Sequence, residues 1–231
     1  MFYNTVVNDW DEMTYVPTIY GNIVLAIIIL ALLAAALFFA GKQTSKNSSI
    51  SKPSVKLTIK QLAFCAMALA LGTVLSNLKI FDMPMGGSIT LLSMLIICLP
   101  GYWFGLGAGL FAGVAYGILQ LLIEPYVLYP MQMLIDYPLA FGALGLSGLF
   151  SNSKFGLIKG YIVGVIGRYI FTVISGFVFF ANYTWEGWDP LPYSLAYNGS
   201  YIFTEAAITI IILLLPPVKE AMSRVKKLAS E

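Results

Sequence analysis

Residues 105–123 read Gly105-Leu106-Gly107-Ala108-Gly109-Leu110-Phe111-Ala112-Gly113-Val114-Ala115-Tyr116-Gly117-Ile118-Leu119-Gln120-Leu121-Leu122-Ile123, 19 positions without a charge. At 1.5 Å per residue a helix of this length covers about 28 Å, close to the hydrocarbon thickness of a bilayer. Gly105, Gly109, Gly113 and Gly117 recur at four-residue spacing. They therefore share one helix face, and small residues there let a second backbone approach closely in lipid. The stretch is read as a transmembrane helix that packs through its glycine face.

The same signature repeats in both directions. Seven apolar segments can be marked, at residues 19–40, 58–80, 88–104, 105–123, 131–150, 157–181 and 196–217. The third is short, and Pro100-Gly101 is read as its tight exit. Gly156, Gly160 and Gly164 form a second four-residue repeat. The composition agrees: of 231 residues 59% are hydrophobic and 10% charged, with a mean hydropathy of +0.84. Soluble domains carry roughly 25% charged residues. A soluble enzyme, a disordered chain, a disulfide-stapled secreted domain and a nucleic-acid binder are set aside on that contrast. Histidine is absent, and Cys65 and Cys98 both lie inside apolar blocks, so no metal cluster can be drawn. There is no Gly-rich phosphate loop with its lysine. The chain is read as an all-α integral membrane protein, not an enzyme, with no metal or cofactor of its own.

Charge orients the bundle. Lys42, Lys46, Lys52, Lys56 and Lys60, then Lys154 and Lys159, then Lys219, Arg224, Lys226 and Lys227 fall on one side if all seven segments span. The other side holds Asp9, Asp11, Glu12, Asp82, Glu124, Glu186 and Asp189 against Lys79 alone. The excess of Lys and Arg marks the cytoplasmic face, which puts the N-terminus outside and the C-terminus inside. The first segment is too long for a signal peptide and lacks a basic flank, so it is read as retained. Four regions follow: an accessory helix at 1–41, a cytoplasmic Lys/Ser linker at 42–56, a core at 57–217 and a cytoplasmic basic tail at 218–231. Ala66 and Ala70 make a smooth strip that can face a neighbouring helix or a partner protein.

Three ionisable residues interrupt the apolar blocks: Asp136, Arg168 and Glu205. Each costs at least about 2.5–3.5 kcal/mol at the membrane centre, so each needs a partner or a polar cavity. Helical spacing joins them to other polar groups. Gln132 and Asp136 share a face, as do Arg168, Thr172, Ser175 and Phe179, and again Asn198, Tyr201 and Glu205. One outcome is a buried Arg168–Glu205 or Arg168–Asp136 bridge that fixes helix register. The other, preferred for three stripes together, is a ligand cavity. Tyr126, Tyr129 and Tyr137 flank Asp136, and residues 179–190 are rich in aromatics, with Tyr193 following. Two carboxylates against one guanidinium leave a formal charge of minus one, which suits an organic monocation among aromatic faces.

Four stretches carry a resemblance. Residues 83–88 (Met-Pro-Met-Gly-Gly-Ser), 129–141 (Tyr-Pro-Met-Gln-Met-Leu-Ile-Asp-Tyr-Pro-Leu-Ala-Phe), 167–181 with Gly167-Arg168-Tyr169 at its start, and 193–200 resemble, in order, the signatures of the ThiT family. These are the thiamine-specific substrate-binding (S) components of energy-coupling factor (ECF) transporters. The resemblance covers about residues 57–217 and implies a six-helix S-component core, to which this chain adds one N-terminal transmembrane helix. It implies a subunit of the bacterial cell membrane that binds thiamine from outside. Import would then depend on a shared transmembrane coupling subunit and two ATPases. Carried over by position, Asp136 bonds the aminopyrimidine, Tyr137 contacts the thiazolium region, and Arg168 is basic near the pyrimidine. Tyr193 and Asn198 make polar contacts, Tyr126 is an aromatic wall, Phe180 stacks, and Gly86 and Gly87 belong to the loop closing the mouth. Gln132 and Glu205 join the set from the helical stripes, and Ala66 and Ala70 match a docking strip. Two positions depart: Thr172 and Tyr129 stand where relatives have His. The alternatives are an S component for hydroxymethyl pyrimidine and, from another class, an ion-coupled transporter using Asp136 and Glu205.

Overall fold

The computed structural model describes residues 3–7, 13–20, 23, 27 and 58–230. Of the expected first span, Ile19, Tyr20, Ile23 and Ile27 are helical; the rest of it and the Lys/Ser linker lie outside the described residues. Ahead of it, strands β1 (Tyr3–Val7) and β2 (Met13–Pro17) pair antiparallel, and β2 runs beside the Ala181–Tyr183 turn.

Helix α1 (Ile59–Ser76) opens on a reciprocal cap: the Gln61 amide donates to Thr58 Oγ1 at 3.2 Å, and the Thr58 amide to Gln61 Oε1 at 3.0 Å. A hairpin follows, β3 (Lys79–Asp82) and β4 (Ser88–Thr90), closed by the Met83 amide donating to the Gly87 carbonyl at 2.7 Å. Helices α2 (Ser93–Phe104) and α3 (Leu106–Ile123) come next. Then α4 runs from Pro130 to Phe150, α5 is Gly156–Phe179, α6 is Pro190–Leu214 and α7 is Pro216–Ser230. Among the described residues, α1, α3, α4, α5 and α6 are long and apolar enough to cross a membrane, and α2 is a shorter apolar helix of 12 residues. The molecule is a helical membrane bundle, as the apolar blocks indicate.

The glycine repeats do pack the bundle. A Cβ on Gly109 would lie 2.5 Å from the Gly145 carbonyl oxygen, and one on Gly113 2.6 Å from that of Phe141. These contacts seat α3 on α4, while Gly160 and Gly164 seat α5 on the backbone at Ser147 and Leu144. The core between α2, α5 and α6 is closed by Met94, Ile97, Cys98, Tyr161, Val165 and Ile202. Helix α1 is the peripheral one, 17% buried against 39–44% for the other four candidate spans.

Several boundaries differ from the sequence reading. Pro100 and Gly101 lie buried inside α2, and the exit is at Gly105, whose φ of +89° only glycine adopts without strain. Gly101 is instead a close-approach position, since its Cβ would meet the Gly148 amide at 2.8 Å. Helix α6 begins at Pro190 rather than near 196, because proline at the first helical position needs no amide partner. The basic tail is a helix. Its Val218 and Met222 pack on the core, and Lys226 bonds the Ser151 carbonyl and lies 4.0 Å from the Tyr102 ring centre.

Candidate ligand-binding site

One cavity of about 170 Å³ opens at the hairpin end of the bundle. Gly86, Gly87, Tyr126, Gln132, Asp136, Tyr137, Arg168, Thr172, Phe180, Tyr193, Asn198 and Glu205 all line it. The substrate-binding set expected from sequence is thus brought to one space, from the hairpin, the loop before α4, the helices α4, α5 and α6, and the residue after α5.

Asp136 is placed by a break in helix geometry. Residues Ile135–Leu139 form a wide π turn inside α4, with Pro138 within it. Proline lacks an amide and its ring crowds the carbonyl four residues back, so the helix widens there. Beside it, Gln132 is 1% exposed and locked: its Oε1 accepts from the Leu128 amide at 3.0 Å and its Nε2 donates to the Tyr126 carbonyl at 3.0 Å. That orientation aims Nε2 at Asp136 Oδ2, 2.7 Å away. The Tyr137 hydroxyl accepts from the Tyr126 amide at 2.7 Å and donates to the Glu124 carbonyl at 2.8 Å. Tyr137 thus contributes its ring, because its hydroxyl holds the loop before α4. Tyr126, which that loop carries, stacks on Phe180 at 5.9 Å and 15°.

Arg168 settles one of the two outcomes left open by the spacing. No carboxylate lies within ion-pair distance of it among the described residues, so the register-fixing bridge is not formed. Its guanidinium lies 4.2 Å from the Phe141 ring centre, and its buried Nε has no hydrogen-bond partner. The Thr172 hydroxyl donates to the Tyr169 carbonyl at 3.0 Å. Asn198 is internally satisfied: its Nδ2 donates to the Ser194 carbonyl at 3.0 Å, and its Oδ1 accepts from the Tyr201 hydroxyl at 2.8 Å. Tyr193 is flanked by Trp185, ring centres 5.4 Å apart.

Tyr197 belongs to the site and was missed as a site residue. Its hydroxyl accepts from the Met85 amide at 2.9 Å, tying α6 to the mouth loop. Tyr193, Tyr197 and Tyr201 recur every fourth residue, a ladder that was open to detection from spacing alone.

At the rim, Lys79 pairs with Glu124 at 3.1 Å and Asp82 at 3.3 Å. The Glu124 hydrogen bond leads in holding the Lys79 ammonium above its usual pKa. A raised cationic pKa gives stabilisation that is complete below the unfolded value, about 10.4, and lost only as pH climbs through the folded one. Stability is therefore expected to owe no pH dependence between 6 and 9 to the titration of Lys79 in this partly exposed pair. Lys79→Gln should cost less than about 1 kcal/mol in thermal unfolding.

A helical bundle that crosses the membrane and surrounds one polar, aromatic-walled cavity open at one end has the architecture of a membrane solute-binding or transport protein. Residues 62–224 match the family model described as Thiamine transporter protein (Thia_YuaJ). The thiamine transporter ThiT of Bacillus subtilis is 32% identical over 179 residues, covering 71% of this chain and 91% of that protein. ThiT of Lacticaseibacillus paracasei is 32% identical over 126 residues, 47% of this chain and 63% of that one. A solved structure of ThiT from Listeria monocytogenes superposes with a TM-score of 0.57 at 28% identity, covering 68% of this chain and 94% of that one. The chain belongs to the thiamine transporter family. It is a multi-pass membrane protein of a transporter family, not of an enzyme family.

Proposed function

We propose that this chain is the thiamine-binding S component of an ECF-type importer, taking thiamine from the outer side. The observation that carries the reading is the cavity itself: Asp136 lines it together with Tyr126, Phe180 and Tyr193, and Arg168, which also lines it, has no ion-pair partner among the described residues. Thiamine is a cation with a flat aminopyrimidine and a thiazolium, and aromatic walls plus one available carboxylate suit both rings. Thr172 in place of histidine removes an imidazole contact, and the remaining set is present around the cavity.

Orientation follows from charge. Lys154 and Lys159 flank the start of α5 and Lys219, Arg224, Lys226 and Lys227 stand on α7 past the end of α6, whereas residues 168–176 of α5 and 193–205 of α6 line the cavity; the positive-inside rule makes the lysine-rich end cytoplasmic. The cavity then opens outward.

Coupling to an ECF transmembrane subunit and its two ATPases is assigned to α1. Ala66 and Ala70 are exposed on this least embedded helix, as is Ala63, while Ala68 is turned into the core. The exposed alanines give a smooth face for a partner helix. Ala66→Trp and Ala70→Trp are expected to abolish thiamine uptake while leaving binding by the purified chain within about twofold, since surface changes away from a site act weakly. Uptake of labelled thiamine into proteoliposomes, with and without a co-reconstituted ECF module, tests the role directly. Uptake by the chain alone, driven by an ion gradient, would replace this reading with the ion-coupled one.

A further inference from the structure

Glu205 lines the cavity, yet both of its carboxylate oxygens are taken by the protein. Oε2 accepts from the Thr90 amide at 3.2 Å and the Thr90 hydroxyl at 2.7 Å. Oε1 accepts from the Met94 amide at 3.1 Å and the Ser93 hydroxyl at 3.3 Å. Thr90 ends β4, and Ser93 and Met94 open α2, so one side chain of α6 holds the root of the hairpin. Helix α2 has no cap of its own. Leu92, at its start, makes no side-chain hydrogen bond and stands at φ +61°. An uncapped helix start leaves amides without partners and a positive dipole end, and a carboxylate satisfies both.

The same face of α6 grips the hairpin at two further points. Tyr197 holds the Met85 amide, and the Tyr201 ring lies 2.7 Å from where a Cβ on Gly87 would stand. Tyr197, Tyr201 and Glu205 recur every fourth residue, in line along the helix.

We propose that Glu205 is a positioning residue, the cap supplied to α2 from another helix, which fixes the Gly86–Gly87 turn over the cavity. It is not the counter-charge of the ligand. The proposal rests on the reading of this cavity as the thiamine site. Glutamine cannot take its place, because each oxygen accepts from a backbone amide, Thr90 on Oε2 and Met94 on Oε1, and an amide N–H can only donate. An amide offers one oxygen and one NH2 group, so at least one donor is left facing N–H.

The test uses the purified full chain and two probes, cationic thiamine and neutral hydroxymethyl pyrimidine, with hydrogen exchange followed over residues 83–94. Glu205→Gln is expected to weaken both probes by the same factor, about 10- to 100-fold, as loss of charge-assisted bonds implies. Exchange over 83–94 should rise while α3 to α5 stay protected. Thr90→Val removes one donor and should move both readouts the same way by less; it carries the test if the glutamine variant does not fold. Selective loss of thiamine with unchanged exchange makes Glu205 a ligand counter-charge and overturns the proposal. Unchanged affinity and exchange overturn it as well. If the native chain binds neither probe, the thiamine reading fails by itself, and the exchange comparison still decides whether Glu205 is the cap.

Discussion

Asparagine in place of Asp136 is expected to lower thiamine affinity by about 100- to 1,000-fold with the fold intact. The two side chains are nearly the same shape, and Gln132 Nε2, held 2.7 Å from Oδ2, can still donate to an amide oxygen. What changes is charge. Two other carboxylates line the cavity, but Glu205 is taken by donors from residues 90–94 and Glu124 is paired with Lys79. Among the described residues, Asp136 is thus the lining carboxylate left to meet a cation. Without it Arg168, which has no ion-pair partner among the described residues, dominates the local field and repels the ligand. A charge-assisted hydrogen bond contributes about 1.5–3 kcal/mol, and the reversed field adds to the loss. Calorimetric titration of Asp136→Asn against the native chain checks this. An affinity within threefold of native would remove Asp136 from the site.

Gly117→Ala carries the second large effect, although residue 117 touches no ligand in this account. A Cβ there would meet the Tyr137 carbonyl oxygen, with the Tyr137 carbonyl carbon at 2.6 Å and Pro138 Cα at 3.0 Å. These are backbone atoms and cannot swing aside. The wide turn that presents Asp136 and Tyr137 must therefore move. A loss of about 1–3 kcal/mol in stability is expected from overpacking, together with at least about tenfold weaker binding, the equivalent of 1.4 kcal/mol. Gly113→Ala is the comparison. Its Cβ would meet the Phe141 carbonyl oxygen at 2.6 Å and Gly142 Cα at 3.0 Å, a similar clash one turn away. It should cost comparable stability and spare most of the affinity. Equal effects of the two alanines on affinity would mean that the turn at 135–139 is not what glycine 117 protects.

Much of this arrangement was legible in the chain because lipid imposes simple rules. Apolar runs of bilayer length marked the five long helices described, while the run at 88–104 became a strand and a 12-residue helix, and three intramembrane charges at helical spacing gave the stripes that meet in the cavity. Four-residue glycine repeats marked the close-packing faces, and the structure supplies their partner, α4 for both α3 and α5. What stayed hidden depends on contacts distant in sequence. The role of Glu205 needs Thr90, Ser93 and Met94, more than 100 residues away. The wide turn at Ile135–Leu139 shows in sequence only as Pro138, which equally permits a kink. The hairpin of β3 and β4 has three residues in its shorter strand, too few for alternation to register. Pro100-Gly101 misled because a proline-glycine pair usually ends a helix. Here proline withholds one helical amide without ending the helix, and Gly101 is needed for close approach to α4.

The most direct test of the central claim is a titration of the detergent-purified chain with thiamine, followed by tryptophan fluorescence, with hydroxymethyl pyrimidine run in parallel. Trp185 lies against Tyr193 in the cavity wall and reports occupancy there. Saturable quenching by thiamine at one site per chain, with weaker binding of the pyrimidine alone, is the result this account predicts. Folded protein that responds to the pyrimidine and not to thiamine, or to neither, would contradict it.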